Sequence, residues 1–295
     1  MGGKDAHAAA AGRRRLRGRI LAYAALGLGV LVFAFPIWMT LVGSTHDVGT
    51  LGRGDVPLWF GPHGPENYAL AWSTGGLGTR NTFAVPASAM LINSALMALL
   101  IAAGKIAISL LSAYAVVFFA FPGRMLAFWL IFITLMLPVE VRIIPTFEVM
   151  VDLALTNSMA GLTVPLMASA TATLLFRQFF LTIPDEYVEA AKMDGAGPLR
   201  FFRDVALPLS VTNIAALFVI LFIYGWNQYL WPLLMVNDRS LETIVVGLTK
   251  MIGTGDAQNE WNTIMATAML ALLPPVLVVV LMQRWFIRGL TETEK

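Results

Sequence analysis

The stretch Glu189-Ala190-Ala191-Lys192-Met193-Asp194-Gly195, followed after nine residues by Val205-Ala206-Leu207-Pro208, is a charged island between two long apolar segments. Such an island belongs outside the hydrocarbon, where water or another protein can meet it. Pro184 suits a first helical turn, and Asp185 and Glu186 place negative charge at the positive end of the helix dipole. A helix is expected over 184–194, broken by Gly195, Gly197 and Pro198 before a second short one over 199–205. Ala190 and Ala191 are small enough for another surface to approach closely. The apolar positions Tyr187, Val188, Ala191, Phe201 and Phe202 are too few for a separate core, so they pack on the protein's own helices or on a partner. Shape alone also allows an ordinary amphipathic connector.

On both sides of the island the chain is apolar: 58% hydrophobic, 13% charged, with a mean hydropathy of +0.73. A soluble domain carries about 25% charged residues. Runs of about 20 mostly apolar residues, enough to span a bilayer, fall at 20–43, 87–120, 126–151, 160–181, 210–236 and 263–287. They lack the alternation of lipid-facing barrel strands, and in hydrocarbon such runs satisfy their backbone only as helices. The expected fold is an all-α integral membrane protein of six transmembrane helices, with a cytoplasmic helix-turn-helix between the fourth and fifth. Its parts are a flexible basic tail over 1–19, one membrane domain over 20–287 that includes the loop at 184–208, and a C-terminal tail over 288–295.

An even number of spans leaves both termini on one side. Thirteen of the 20 Lys and Arg residues fall on that side, Lys192, Arg200 and Arg203 among them, against four on the other. This bias places the termini and the Glu189 loop in the cytoplasm, with the chain multi-pass in the inner (plasma) membrane. The net charge of +2 then reflects topology and contact with membrane lipid, and no nucleic-acid partner is implied. The first apolar run exceeds the roughly 7–15 residues of a secretory signal core and reads as an uncleaved anchor. With no cysteine, neither a disulfide nor a thiolate metal site can form, and His7, His46 and His63 lack ligand spacing. No metal, cofactor or catalytic residue is expected in this chain.

Ionisable residues at membrane depth are costly and usually face a cavity or a partner. Lys105, Glu140, Arg142 and Glu148 are the candidates. Glu140 and Arg142 lie about 200° apart around a regular helix, although Pro138 and Pro145 can relax that constraint by kinking the segment. Asn227 and Gln228 put amide groups in the fifth span, where unpaired polar atoms are expensive. These five residues, Lys105, Glu140, Arg142, Asn227 and Gln228, are the candidate substrate path. Pairing of Arg142 or Lys105 with Glu140 to fix helix packing is the competing reading. Arg177 is expected to snorkel toward the cytoplasmic surface, and Trp59, Trp72, Trp231 and Trp261 to anchor at the interfaces.

The order Glu-Ala-Ala, three residues, Gly, nine residues, Ile, one residue, Leu-Pro marks the cytoplasmic loop of bacterial ABC import permeases. This chain resembles it from Glu189 to Pro208, with Val205 in place of the Ile. Longer strings carry a narrower likeness: MLPVEVRIIP (Met136 to Pro145), ATATLLFRQFF (Ala170 to Phe180), FIYGWNQYLWPLL (Phe222 to Leu234) and MQRWFIRGL (Met282 to Leu290). They resemble the second permease subunits of sn-glycerol-3-phosphate importers over roughly 20–295, the Arg-rich tail being peculiar to this chain. The resemblance implies an ABC type I importer permease fold and a complex with a second homologous permease, an ATPase dimer and an external binding protein. It makes Glu189, Ala190, Ala191 and Gly195 the coupling positions that meet the ATPase. Nothing resembles the phosphate-binding GxxxxGK[ST] loop, so ATP and its Mg would be bound by the partner ATPase subunits. Arg142, or Lys105, would hold the substrate phosphate, because guanidinium offers it bidentate geometry. The alternatives are a permease for another sugar and, from a different class, a secondary transporter driven by an ion gradient through Glu140 or Glu148.

Overall fold

The computed structural model describes residues 2–54, 57–76, 85–134, 139–252 and 259–291, without the side chains of 2–17, 139–140 and 286–291. The Glu140 carboxyl and residues 292–295 of the expected C-terminal tail therefore lie outside the described residues. In chain order the α-helices are α1 (Gly2–Gly43), α2 (Val48–Gly52), α3 (Gly64–Ser73), α4 (Ala87–Phe118), α5 (Arg124–Ile133), α6 (Val139–Asp152), α7 (Met159–Thr163) and α8 (Ala170–Phe180). They continue as α9 (Asp185–Met193), α10 (Pro198–Phe201), α11 (Leu207–Leu209), α12 (Val211–Trp226), α13 (Leu230–Met235), α14 (Ile244–Met251) and α15 (Trp261–Thr291).

Among the described residues three helices are long and apolar enough to cross a membrane outright: Gly18–Gly43 of α1, α4, and Trp261–Trp285 of α15. The expected third span takes in α5 and α6, with residues 135–138 between them outside the described residues. The fourth and fifth spans are broken, and proline explains both breaks. Pro165 has no N–H to give the carbonyl of Gly161 and its ring would collide with that carbonyl, so α7 passes through a 3-10 turn over Val164–Leu166 and restarts as α8 at a 48° angle. Pro232 forbids the same bond to Gln228, so α12 stops at Trp226 and residues 227–229 separate it from α13. The single continuous span expected over 210–236 is corrected accordingly. Pro208 likewise accompanies a π-helical turn over Phe202–Ala206.

The basic stretch expected to be a flexible tail continues α1 without a break from Gly2. Its alanines and arginines are strong helix formers. Most of α1 beyond Gly18 is uncovered within the chain, its apolar side chains, Phe33 and Leu31 among them, facing outward, and it becomes buried only at its end, at Val42, while packing against α15. At the centre, α12 packs against α4 and α15, and α4 also packs on α8. Small residues permit this closeness: a Cβ on Gly225 of α12 would stand 2.9 Å from the Ala98 backbone of α4.

One apolar core runs from Met90 and Ala98 down α4 to Tyr114, Phe176, Phe180 and Phe201. A second gathers Met97, Ile101, Met150, Leu162, Trp231 and Met235. Toward the opposite end, buried polar groups staple loops to helices. Asn93 donates to the carbonyls of Ser240 (2.8 Å) and Glu242 (3.1 Å), and the Ser94 hydroxyl accepts from Ile244 N–H. Asn67 donates to the Ser44 and His46 carbonyls and accepts from Asn262.

Candidate functional site

Two regions carry the residues singled out above. The first is the Glu189 loop. Asp185 and Glu186 occupy the first turn of α9, and Lys192 its last. The helix ends in a Schellman motif: Ala196 N–H reaches the Ala191 carbonyl at 2.8 Å and Gly195 N–H reaches Lys192 at 3.1 Å. Gly195 has φ +66°, a left-handed conformation that a side chain disfavours. The glycine in this spacing is therefore a backbone requirement of the turn.

The second helix of the loop is tethered from beneath. The Tyr114 hydroxyl donates to the Pro198 carbonyl at 2.7 Å, and its ring meets Phe202 at 4.9 Å between centroids. Phe118 lies 5.2 Å from Phe201 and 5.6 Å from Phe180. Thus the ends of α4 and α8 grip α10 through aromatic side chains. Val188 and Ala191 of α9 also pack on this core, so most of the loop's apolar positions meet the protein itself. The outer face differs: Glu189 and Ala190 are exposed, as are Met193 at 83% and Leu199 at 79%. The grip by Tyr114, Phe118 and Phe180 is absent from the sequence reading; its signal is the clustering of aromatics at the ends of apolar runs that flank charged segments.

The second region is a cavity of about 280 Å³ lined by Lys105, Arg142, Thr146, Tyr224 and Gln228, with Pro165, Leu166 and Trp231 on its apolar side. A neighbouring cavity of about 440 Å³ shares Lys105, Arg142, Ala168 and Tyr224, and adds hydroxyl-bearing Ser112, Ser169, Thr171 and Thr173. Lys105 and Arg142, on different helices, therefore stand where the two spaces adjoin. The Lys105 ammonium lies 4.0 Å from the centre of the Tyr224 ring, a cation–π contact. Among the described residues neither cation has a carboxylate within ion-pair distance. Gln228 donates to the Tyr224 carbonyl at 3.1 Å.

Of the five path candidates the structure brings Lys105, Arg142 and Gln228 together. Asn227 is exposed at the end of α12 and lines neither cavity. Glu140 opens α6 on the backbone, its carboxyl lying outside the described residues. Tyr224 is the lining residue the sequence reading missed. Trp231, expected at an interface, is instead buried and donates to the Gly161 carbonyl at 3.2 Å, the acceptor that Pro165 leaves free. Arg177 stacks over the Phe128 ring at 4.3 Å. No group of three or more His, Cys, Asp or Glu side chains is placed to hold a metal among the described residues.

Known proteins resemble this chain. The family described as the binding-protein-dependent transport system inner membrane component matches residues 95–292. The chain is 58% identical over 277 residues to the sn-glycerol-3-phosphate transport system permease protein UgpE of Agrobacterium fabrum, covering 94% of this chain and 97% of that one. Its counterparts in Rhizobium meliloti and Yersinia pestis are 58% and 55% identical over 276 residues, with the same coverage. In fold the chain is similar to a chain in the crystal structure of a bacterial ABC transporter involved in the import of the acidic polysaccharide alginate. There the TM-score is 0.78 at 21% identity, over 92% of this chain and 97% of that one. The fold is thus that of a type I importer permease, and the chain belongs to the family of inner membrane components of binding-protein-dependent transport systems.

Proposed function

We propose that this permease subunit serves an ATP-driven importer of sn-glycerol-3-phosphate or a closely related glycerophosphodiester. The observation that carries the substrate is the near full-length identity of 55–58% to permeases of that transport system. The cavity supports it: Lys105 and Arg142 offer positive charge to an anion, with no counter-carboxylate among the described residues. An exposed, rigidly capped α9 supports Glu189, Ala190, Ala191 and Gly195 as the contact with an ATPase dimer. A second homologous permease completes the path, and a binding protein delivers substrate on the face opposite the loop.

In this scheme the termini and the loop are cytoplasmic. The subunit performs no bond chemistry, and hydrolysis of ATP with its Mg occurs on the partner ATPase. Closure of that dimer pushes on α9, and the aromatic grip carries the displacement into α4 and α8, whose residues line the cavity. The test is uptake of labelled glycerol-3-phosphate into proteoliposomes that hold this chain with its neighbouring permease, ATPase and binding protein. Uptake that requires both ATP and binding protein is expected. Ion-driven uptake by this chain alone would overturn the importer reading, and ATP-driven uptake of only a neutral sugar would overturn the substrate.

A further inference from the structure

The break in the fourth span does more than bend it, because it opens the N-terminus of an 11-residue helix, α8, inside the protein. Ser169 caps that helix by accepting from Ala172 N–H at 3.3 Å, and its carbonyl accepts from Thr173 N–H at 3.1 Å. The N–H groups of Ala170 and Thr171 precede the first intrahelical bond and find no acceptor among the described residues. Both residues line the larger cavity, as does Lys105. Lys105 is nine-tenths buried, at 8% exposed, and its ammonium has no hydrogen-bond or ion-pair acceptor among the described residues, only the Tyr224 ring face. The break is held against α4 on the turns beside that lysine. Met167 covers Gly104, and the Ser109 hydroxyl donates to the Ser169 carbonyl at 3.1 Å.

We propose that the N-terminus of α8 and the Lys105 ammonium together form the seat that receives the substrate's phosphate group during passage. A helix N-terminus carries roughly half a positive charge and presents free donors. A largely buried ammonium adds a full charge where protein walls leave less water to screen it than at the surface. Two cationic sources pointed into one polar space have no net stabilising role for the fold by themselves; an anion between them satisfies both. Arg142, exposed where the two cavities adjoin, supplies the approach. The seat rests on the phosphorylated-substrate reading above and makes the permease itself a reader of substrate charge.

The experiment uses the assembled transporter in proteoliposomes with glycerol-3-phosphate as the probe, at saturating ATP and binding protein. Ala170→Pro is a selective variant, because proline at the first helical position removes one free N–H and no helix bond. The extended backbone of Ser169 (φ −148°, ψ 106°) already suits a residue before proline. Lys105→Met removes the charge at similar length. Each should lower uptake about tenfold while ATP hydrolysis stimulated by the binding protein stays within about twofold. Ala170→Gly, which keeps the N–H, and Lys105→Arg should retain most of the uptake. Unchanged uptake in Ala170→Pro and Lys105→Met, in a complex that imports glycerol-3-phosphate, would overturn the seat alone. Parallel loss of uptake, ATP hydrolysis and assembly in Lys105→Met, reproduced by Glu140→Gln, would make Lys105 a packing ion pair and also overturn it. A parent complex that imports only a neutral sugar would remove the substrate reading and the seat with it.

Discussion

Around Gly195 nearly every turn of the backbone is dictated within a dozen residues, whereas around Lys105 almost nothing is. The loop has acidic residues at the start of α9, a glycine at φ +66° and a proline opening α10, each a local device. The cavity arises where α4, α6, α8 and α12 converge, and its lining residues stand up to 126 positions apart, Lys105 to Trp231. The contrast teaches where each region can be damaged. A loop of local devices keeps its shape but depends on its tether to the bundle. A cavity made by convergence depends on the proline breaks and the close contacts that set the angles of its walls.

The tether offers the largest expected effect. Phe180 is 1% exposed, touches Phe118, Phe176 and Tyr114, and belongs to the core that carries α10. Phe180→Ala should cost about 3–5 kcal/mol, read as a lowered midpoint for thermal unfolding of the purified complex, and should uncouple ATP hydrolysis from uptake. Unaltered coupling would mean that α9 is held by its partner alone. On the cavity side, Gly161 is the counterpart. A Cβ there would lie 2.1 Å from the Leu155 carbonyl oxygen, and that backbone atom cannot swing aside as a side chain could. Gly161→Ala should cost about 1–3 kcal/mol and displace Trp231 from its bond to the Gly161 carbonyl. Tryptophan fluorescence checks this, and an unshifted spectrum would show that the wall yields elsewhere.

This asymmetry also explains what could be read from the chain. The all-helical membrane class, the Glu189 loop and the helix that starts near Asp185 follow from composition, charge bias and capping, all of which act over short range. The breaks at 167–169 and 227–229 had a visible signal in Pro165 and Pro232, yet apolar runs of spanning length concealed it. Trp231 was misplaced for a related reason: aromatics near span ends resemble interface anchors until the carbonyl freed by Pro165 turns up as an acceptor. Arg142 and Lys105 were legible as costly charges. That Gln228 would join them in one cavity while Asn227 would not depends on the residue at which α12 ends.

A smaller effect separates the tether's hydrogen bond from its rings. Tyr114→Phe keeps the aromatic cluster and deletes only the donor to the Pro198 carbonyl. The cost should be about 1 kcal/mol, the usual net worth of one hydrogen bond, with α10 amides exchanging faster with solvent. Protection equal to that of the parent would assign the whole grip to ring packing.

The smallest effect belongs to Gly195. A Cβ there meets nothing within 4 Å, so sterics with the rest of the chain cannot explain the glycine. What remains is the backbone: at φ +66° an alanine pays roughly 1 kcal/mol relative to glycine. Gly195→Ala should therefore lower the stability of the complex by at most about 1 kcal/mol while loosening the turn that aims α9, lowering uptake by no more than about fivefold. Gly195→Asn, a residue that tolerates the left-handed region, should recover much of the loss. Equal failure of both would shift the explanation from the turn to the outer surface, where a side chain at 195 would obstruct whatever docks there. That outcome would make the loop resemble the cavity, shaped by what it receives as much as by its own backbone.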